Sequence, residues 1–524
     1  MYKLQKLLIS SSSAKYICVK LVTEDNLNKK TPNVDNRIIL SPNDKFTFAE
    51  KLTLDGYSSR IIGTSIPKAS RSKKSLRIIT IEDRAKQMLA YLALSPQWEA
   101  NFDSGSYGFR PGRFKLDAIE AISIGISRNP KWVLNAAITQ SSNQINHQYL
   151  LEKCNTFLEM RKQIRAWLKK GILDRKESIL PEMGTPEGDI ITYLLVNIAL
   201  HGLRKSLDNY INTISEQEYK NHESLIFVHY GDRFIVMHPN QKILYELLEV
   251  IQQFLEPIGL KLNPNHTRVG HTLNSEKDSP PGFIFLGFYI HQRIKWRKSR
   301  TAVSEANLKQ KFITLIVPSK EIVKKHKSMI REIIRRYRGT SQEKLIQKLN
   351  PIIRAWALSK RTQGVSRTFQ ALDKFMFIHL WKWARKRHPK MSKSKLKKKY
   401  WHQLGTRNWV FGLKTNNKVS LELQLHSKLL VGSSDQAKGA FSPFNRNLTY
   451  WSKRAGHNSC LIPIKSRVIM KNYGQCEIFR ELFLPNNITE KNHITSKPIG
   501  GFTRLNTMYD GHYYSHQDKK KVDL

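Results

Sequence analysis

Leu225-Ile-Phe-Val-His-Tyr-Gly-Asp-Arg-Phe-Ile-Val-Met237 is the stretch that decides the fold. Apolar residues flank the tetrapeptide Tyr230–Arg233 on both sides, a pattern that predicts a strand, a tight turn and a second strand. Taken alone, the turn is the tip of a hairpin and carries no chemistry. The sequence segments before and after the hairpin are needed to interpret Asp232 and Arg233.

Strand and helix patterns alternate around this hairpin. Alternation of this kind predicts an α/β core that extends to about residue 295. From 307 to 401 the pattern is helical throughout, with Lys and Arg on the polar faces. The helices are predicted at 82–95, 116–126, 149–170, 190–207 and 241–255, and the strands at 61–81, 133–138 and 283–290.

The charge of the chain limits the classes of partner. Its 524 residues carry a formal net charge of +46, and the 40% hydrophobic fraction is enough for real cores. Dense negative charge is the natural complement, which favours nucleic acid. Apolar runs long enough to span a bilayer do not occur, so no membrane partner is expected. The four cysteines lack disulfide or metal-binding spacing, which fits a reducing compartment.

The most basic segment is interleaved with aromatic residues. Between Trp381 and Tyr400 there are ten Lys or Arg residues and no acid. Such a run can be a solvated helix face. Here it also contains Trp381, Trp383, His388 and Tyr400, whose planar rings can stack on unpaired bases, and this favours a surface that contacts RNA.

Several blocks, taken in order, resemble group II intron-encoded reverse transcriptase/maturases. The most specific is Ser106-Tyr-Gly-Phe-Arg-Pro-Gly-Arg113. The resemblance begins at Leu4–Leu8, so the N-terminus is expected to be protein body rather than a cleaved targeting segment. The other matching blocks are Val22–Asn26, Thr80–Arg84, Pro96–Ala100, Gly184–Gly188, Asn197–His201, Leu349–Trp356 and Arg385–Pro389.

The resemblance implies an α/β (α+β) polymerase shaped like a right hand, with fingers and palm. An all-helical thumb/maturase domain and a small degenerate module similar to His-Asn-His endonucleases follow. The implied boundaries are 1–80 for the N-terminal extension, 81–295 for fingers and palm, 300–405 for the thumb/maturase domain, 406–460 for a linker and 461–524 for the last module.

The departures from the family pattern concern the metal-binding carboxylates. The resemblance places Ala137 at the first metal-binding aspartate, Asn143 at a second acidic position, and Arg233 beside the surviving Asp232. Two-metal nucleotidyl transfer needs carboxylates that bridge both ions, and an arginine there repels them. Polymerase activity is therefore predicted to be lost. Glu187 and Asp189 in the template loop, and His266 in place of a lysine, are further departures.

The last module departs in the same way. Its outline is preserved at Glu490, His493, Asn506 and His516, of which His493 is the presumed general base. The family's cysteine pairs hold a zinc ion, but here Cys476 stands alone and Asn492 occupies a ligand position. The module is predicted to bind no metal and to be inert, its histidines being relics in a loosely folded tail.

The resemblance and the basic pattern together predict the RNA-contacting residues. Arginine forks pair well with phosphate oxygens, whereas Trp356 either packs in the core or stacks on a base. The expected set is Arg110, Arg113, Arg354, Trp356, Arg385, Arg387, His388, Lys397, Lys398 and Lys399.

The function implied is that of an RNA-binding maturase that assists splicing of a group II intron, expected to be its own host intron, without chemistry of its own. No cofactor is expected, and Mg²⁺ only where polymerase activity survives. Two alternatives stay open: an active retroelement polymerase and homing endonuclease, or a decaying reading frame. The expected partner is group II intron RNA, with a homodimer left open, and the expected location is the plastid, alternatively the mitochondrion.

Overall fold

The computed structural model describes most of the chain up to residue 429 and shorter stretches after it. Among the described residues, no helix is long and apolar enough to cross a membrane. The described residues are 1–24, 41–59, 62–67, 73–139, 145–170, 190–214, 225–276, 280–294, 312–362, 364–404, 406–415, 418–429, 439, 441–445, 447, 450–451, 454, 489–493 and 508–512.

Short helices form the N-terminal body and pack against one long helix through a small apolar cluster. A buried side-chain hydrogen bond joins the two, since the Gln5 amide donates to Gln97 Oε1 at 2.6 Å. The long helix begins at Thr80, whose hydroxyl accepts from the Asp83 amide as an N-cap. The helices are α1 (Tyr2–Ser10), α2 (Ser12–Glu24), α3 (Pro42–Lys51) and the long α4 (Ile81–Asn101), and a hairpin of β1 (Ile62–Pro67) and β2 (Lys73–Ile78) precedes α4.

The predicted hairpin forms one half of a four-stranded antiparallel sheet, with its first strand at the edge and its second strand inside the sheet. Along its second strand, Phe234 and Val236 face one apolar cluster, and Ile235 and Met237 face another. Because successive strand residues point to opposite faces, burial on both sides explains the unbroken apolar run. The strands are β3 (Trp132–Ala137), β4 (Ile226–Tyr230), β5 (Arg233–His238) and β6 (Arg268–His271), in the order β4-β5-β3-β6.

Helices cover this sheet on both faces. Two of them were predicted as longer continuous helices, and the structure corrects this at residues with left-handed backbone. Asn155, with φ 45°, separates two helices within 149–170, and Gly202, with φ 95°, separates two near 190–207. The helices are α5 (Lys115–Gly125) on one face and, on the other, α6 (His147–Lys153), α7 (Leu158–Lys169), α8 (Thr192–Leu200), α9 (Leu203–Ile214) and α10 (Gln241–Leu255).

A second antiparallel sheet joins the palm to the helical domain. Leu286 and Gly287, both with positive φ, form the turn between its first two strands. Its third strand lies inside the segment predicted to be helical throughout, which is a correction. The apolar run Phe312-Ile-Thr-Leu-Ile-Val317 is rich in β-branched residues and pairs along the middle strand. The strands are β7 (Phe283–Phe285), β8 (Phe288–Ile294) and β9 (Phe312–Pro318).

Amphipathic helices then build the basic domain. A serine caps three of them, at Ser319, Ser341 and Ser392, each accepting a hydrogen bond from a backbone amide of the first turn. Their apolar faces meet in one core that includes Leu349, Leu380 and Trp383. The helices are α11 (Lys320–Arg336), α12 (Gln342–Ser359), α13 (Ser366–Arg387) and α14 (Lys393–Tyr400).

The segment predicted to be a linker is folded in part, and the preceding domain is not all-helical. Three antiparallel strands pack on the helices, and Trp401, Phe411 and Leu423 enter the same core. The polar composition concealed this sheet because only a few apolar residues alternate along it. The strands are β10 (Trp401–Leu404), β11 (Arg407–Thr415) and β12 (Lys418–Glu422), followed by a 3₁₀ turn at His426–Leu429.

Two strands are described in the last module, β13 (Thr489–His493) and β14 (Met508–His512). They pair antiparallel, with Thr489 opposite His512 and His493 opposite Met508. The predicted residues Glu490 and His493 therefore lie on one strand of a hairpin. Asn506 and His516 lie outside the described residues.

Candidate functional site

The structure brings the three palm positions together at the ends of neighbouring strands. Ala137 at the end of β3 pairs with Arg233 at the start of β5. The Ile138 amide donates to the backbone carbonyl of Asp232 at 2.8 Å, which ties the turn to β3. Ala137, Asp232 and Arg233, which the sequence motifs placed at one site, are therefore neighbours in the structure. Asn143 and the template-loop residues Glu187 and Asp189 lie outside the described residues.

The electrostatics of this turn do not suit a metal pair. Burial raises the pKa of the Asp232 carboxyl, and the charges of Arg233 and His266 act in the opposite direction. Ala137 contributes a methyl group where a second carboxylate would be needed. In the described part of the chain, no group of three or more His, Cys, Asp or Glu residues could hold a metal ion. These side chains do not fit two Mg²⁺ ions, which require bridging carboxylates.

Arg233 lies in a partly enclosed position. Its Nε atom is buried and has no hydrogen-bond partner among the described residues. A guanidinium in this position places a permanent positive charge beside Asp232. The turn therefore pairs one carboxylate with one cation where the resemblance implies two carboxylates.

An aromatic stack covers the turn, and sequence reasoning missed it. Phe109 has left-handed backbone, with φ 57°, and stacks on Tyr193 with ring centroids 3.5 Å apart. A Cβ atom on Gly231 would lie 2.9 Å from the Phe109 ring, and one on Gly108 would lie 2.3 Å from the Gly231 nitrogen. The glycines at 108 and 231 were the available signal, since close approach of two backbones requires them.

Arg110 is a structural residue, which corrects its expected role in RNA binding. Its Nε atom donates to both carboxylate oxygens of Glu99 at 3.1 Å, and Nη2 donates to Oε2 at 2.9 Å. Nη1 donates to the carbonyls of Asp103 and Ser106, each at 2.8 Å. The ion pair is buried, with both side chains at most 1% exposed. No face of this guanidinium is left for a phosphate.

Arg113 is corrected for the same reason. Its guanidinium donates to the carbonyls of Ser104, Gly439 and Phe441. Burial lowers the pKa of this arginine to about 10. The side chain therefore fastens a C-terminal segment to the loop instead of reaching solvent.

The same C-terminal segment fills a notch beside that loop. Trp451 is fully buried, and a Cβ atom on Gly112 would lie 2.4 Å from its ring. Arg454 donates to the Gly112 carbonyl at 2.9 Å and forms a buried ion pair with Asp117. Part of the predicted linker is thus packed against the palm.

Trp356 packs in the core, which decides between the two roles left open for it. It is 8% exposed and stacks on His326 with ring centroids 4.4 Å apart. His326 in turn contacts His426, whose other ring nitrogen bonds Asp373. Arg354 is half-buried and donates to the side-chain oxygen of Gln424 at 3.1 Å.

The remaining predicted residues line an exposed basic surface formed by the end of α13 and by α14. Arg385 and Lys397 to Lys399 are exposed. Arg387 is exposed as well, but it donates to the Thr340 carbonyl at 2.5 Å and lies over the Trp383 ring. His388 bonds the Tyr400 hydroxyl at 2.8 Å, and burial with nearby cations lowers its pKa. This surface is available to phosphates, whereas the arginines of the palm loop are not.

Comparisons with known families place the sheet and its Asp-bearing hairpin in a reverse transcriptase-like region. The family described as reverse transcriptase (RNA-dependent DNA polymerase) matches residues 66–290. The N-terminal domain of reverse transcriptase matches 1–52, and the group II intron maturase-specific domain matches 323–401. The resemblance to group II intron-encoded reverse transcriptase/maturases is therefore confirmed.

Individual relatives are distant. The chain is 25% identical to protein YkfC of Escherichia coli over 265 residues, which cover 45% of this chain and 68% of YkfC. It is 24% identical to maturase-like protein 1 of Euglena gracilis over 333 residues, or 60% of this chain and 64% of that protein. With the group II intron-encoded protein LtrA of Lactococcus lactis it shares 30% identity over 141 residues, or 26% of this chain and 23% of LtrA.

Proposed function

We propose that this protein is a maturase that binds a group II intron RNA and promotes its splicing without polymerase or endonuclease chemistry of its own. The observation that carries the proposal is the contrast between the palm turn and the basic surface. The turn holds Asp232 beside Arg233 and Ala137. The surface presents Arg385 and Lys397 to Lys399 to solvent.

Binding by such a surface needs no chemistry from the protein. Exposed cations gain binding free energy by releasing counterions from the RNA backbone. Recognition of the shape of a folded RNA contributes the remaining affinity and the selectivity. The matched maturase-specific domain at 323–401 contains most of this surface, and the relatives named as maturase-like support the same function. We include an organelle location in this proposal. One relative, from Schizosaccharomyces pombe, is named as an uncharacterized 91 kDa protein in the cob intron.

A splicing assay with purified protein separates a maturase from an enzyme. We expect Asp232→Asn to leave the rate of intron splicing unchanged, because Asp232 faces the palm turn and not the basic surface. Arg385→Ala combined with Lys397→Ala and Lys398→Ala should slow splicing, because exposed phosphate contacts are removed.

The control replaces exposed lysines elsewhere. Lys169→Ala with Lys170→Ala at the end of α7 removes charge from the palm helices and should leave splicing close to wild type. Equal losses in both charge variants would mean that only net charge matters. A loss confined to Asp232→Asn would contradict the proposal.

A further inference from the structure

Four aromatic side chains meet on the basic surface, and we call them the aromatic platform: Phe377, Trp381, Trp401 and Trp409. Phe377 and Trp381 lie one turn apart on α13, with ring centroids 6.1 Å apart. Trp401 lies 5.1 Å from Trp381, and Trp409 lies 5.9 Å from Phe377. Elements that are distant in sequence thus assemble one continuous aromatic surface.

The platform has a buried floor and an exposed upper part. Trp401 is 4% exposed and belongs to the domain core, whereas Trp409 is 44% and Phe377 38% exposed. Val410 and Phe411, the two residues that follow Trp409, are buried. Core packing therefore explains Trp401 but leaves a large aromatic area open to solvent at Trp409.

The backbone at Trp409 is strained. Its φ is 66°, in the left-handed region that bulky side chains rarely adopt. Backbone strain of this kind is concentrated at functional and ligand-binding positions. Trp409 lies at the register shift in the β10–β11 pairing, and its indole is on the surface beside Phe377.

The charge around the platform selects its partner. The Lys397 ammonium lies 3.9 Å from the centroid of the Trp409 ring. From Lys374 to Leu421 the chain has 14 Lys or Arg residues and no Asp or Glu. A polyanion with planar groups complements such a surface better than a protein does, because an apolar protein patch would leave these cations unpaired.

We propose that the aromatic platform is a stacking site for an unpaired base of the bound RNA, with Trp409 as the principal ring. Lys397 covers part of the indole and is placed to contact the phosphate next to the stacked base. Stacking of this type tolerates any base, because each has a π face. The proposal rests on the proposed function and adds a residue, Trp409, that lies beyond the matched maturase-specific domain.

Binding of single-stranded RNA by the full-length protein tests the platform. We expect Trp409→Ala to weaken binding by about 5- to 100-fold and Trp409→Phe to keep most of the affinity. The salt dependence should stay the same in Trp409→Ala, because no phosphate contact is lost. Lys397→Gln should instead reduce the slope of log affinity against log salt by about one. Tyr245→Ala, an exposed aromatic residue on α10, is the matched control and should bind like wild type.

Ultraviolet crosslinking provides a readout that needs no variant. Trypsin releases Trp409 in the short peptide Asn408–Lys414, and this peptide should carry the crosslinked nucleotide. If wild type binds RNA but other peptides carry all the crosslinks, or Trp409→Ala binds as tightly as wild type, the platform serves another partner and the inference is overturned. If wild type binds no RNA at all, the proposed function itself fails.

Discussion

The palm loop Ser106–Arg113 and the basic surface both carry arginines, but those of the loop are buried and those of the surface are exposed. In the palm, Arg110 is buried against Glu99 and Arg113 against backbone carbonyls. On the helical domain, Arg385 and the lysines of α14 are exposed. The comparison teaches that the most recognisable string of the family, Ser106–Arg113, maintains the architecture of the palm. In the proposed function, contact with RNA is made by the exposed residues of the helical domain, whose sequence pattern is less specific.

The two regions also differ in which functional side chains they present. The palm keeps its sheet register, its glycine contacts and its aromatic stack around Asp232. It lacks the carboxylates that two-metal catalysis needs. The helical domain keeps its core and its exposed cations. A palm without paired carboxylates and a helical domain with exposed cations are the pattern expected of the proposed RNA-binding function.

The largest expected effect is the absence of DNA synthesis. Primer extension on RNA templates with Mg²⁺ or Mn²⁺ should give no product, because Ala137 and Arg233 remove two metal ligands. The double change Ala137→Asp and Arg233→Asp should restore at most a trace, because other departures remain. Extension by the wild type that disappears in Asp232→Asn would show that the palm is active.

The second-largest expected effect is the dependence of RNA affinity on salt concentration. If six to ten phosphates are contacted, the affinity should fall by about 10³- to 10⁵-fold between 50 and 200 mM salt. Binding isotherms over that range, for wild type and for the Lys397–Lys399 triple alanine variant, measure the slope. A flat profile for the wild type would mean that the charged surface faces something other than RNA.

Replacing a buried arginine should lower the free energy of unfolding much more than replacing an exposed one. Arg110→Ala leaves Glu99 charged and buried, and breaking such a pair costs about 3–5 kcal/mol in the free energy of unfolding. Arg385→Ala removes an exposed side chain and should cost within about 0.5 kcal/mol. Urea unfolding of both variants decides this. Equal stabilities would contradict the assignment of Arg110 to the protein interior.

A smaller effect is expected from the buried histidine pair of the helical domain. The two buried rings meet through their Nε2 atoms at 2.9 Å, and His426 Nδ1 donates a hydrogen bond to the Asp373 carboxylate. Burial, with a contribution from His426, lowers the pKa of His326 to about 3. An unfolded chain takes up this proton below about pH 6.5. The free energy of unfolding should therefore fall as the pH drops from 6.5 towards 3.

The change His326→Gln keeps a hydrogen-bond donor but removes the titration. Between pH 6.5 and 5 the wild type should lose about 1.6 kcal/mol more stability than this variant. His147→Gln, at a partly exposed position, is the control and should follow the wild type. A pH dependence of unfolding that is identical in wild type and His326→Gln would show that His326 is not buried in its neutral form.

Much of the palm could be predicted because its elements are local and periodic. The helix at Gln241–Leu255 and the strand at Trp132–Ala137 lie within one residue of their predicted bounds. The helix breaks at Asn155 and Gly202 were missed because each depends on one residue with positive φ. The strand β9 was missed because pairing with β8, a tertiary interaction, overrides the helical pattern around it.

The roles of individual side chains were harder to predict. Arginine reads as a phosphate ligand in a sequence, and only the position of Glu99 shows that Arg110 has a partner. The sheet after α14 and the burial of Trp451 depend on long-range contacts that a polar composition conceals. By contrast, the proximity of Ala137 to Arg233 followed from motif register, because strand pairing is regular once its partners are known.

The most direct measurement is splicing in the cells that express the protein. The protein is depleted, all group II intron junctions in its compartment are sequenced, and variants are reintroduced. We expect depletion to block splicing of at least one structured intron, with rescue by Asp232→Asn and poor rescue by the combined Arg385, Lys397 and Lys398 alanine variant. Normal splicing of every group II intron after depletion would contradict the assignment as a maturase.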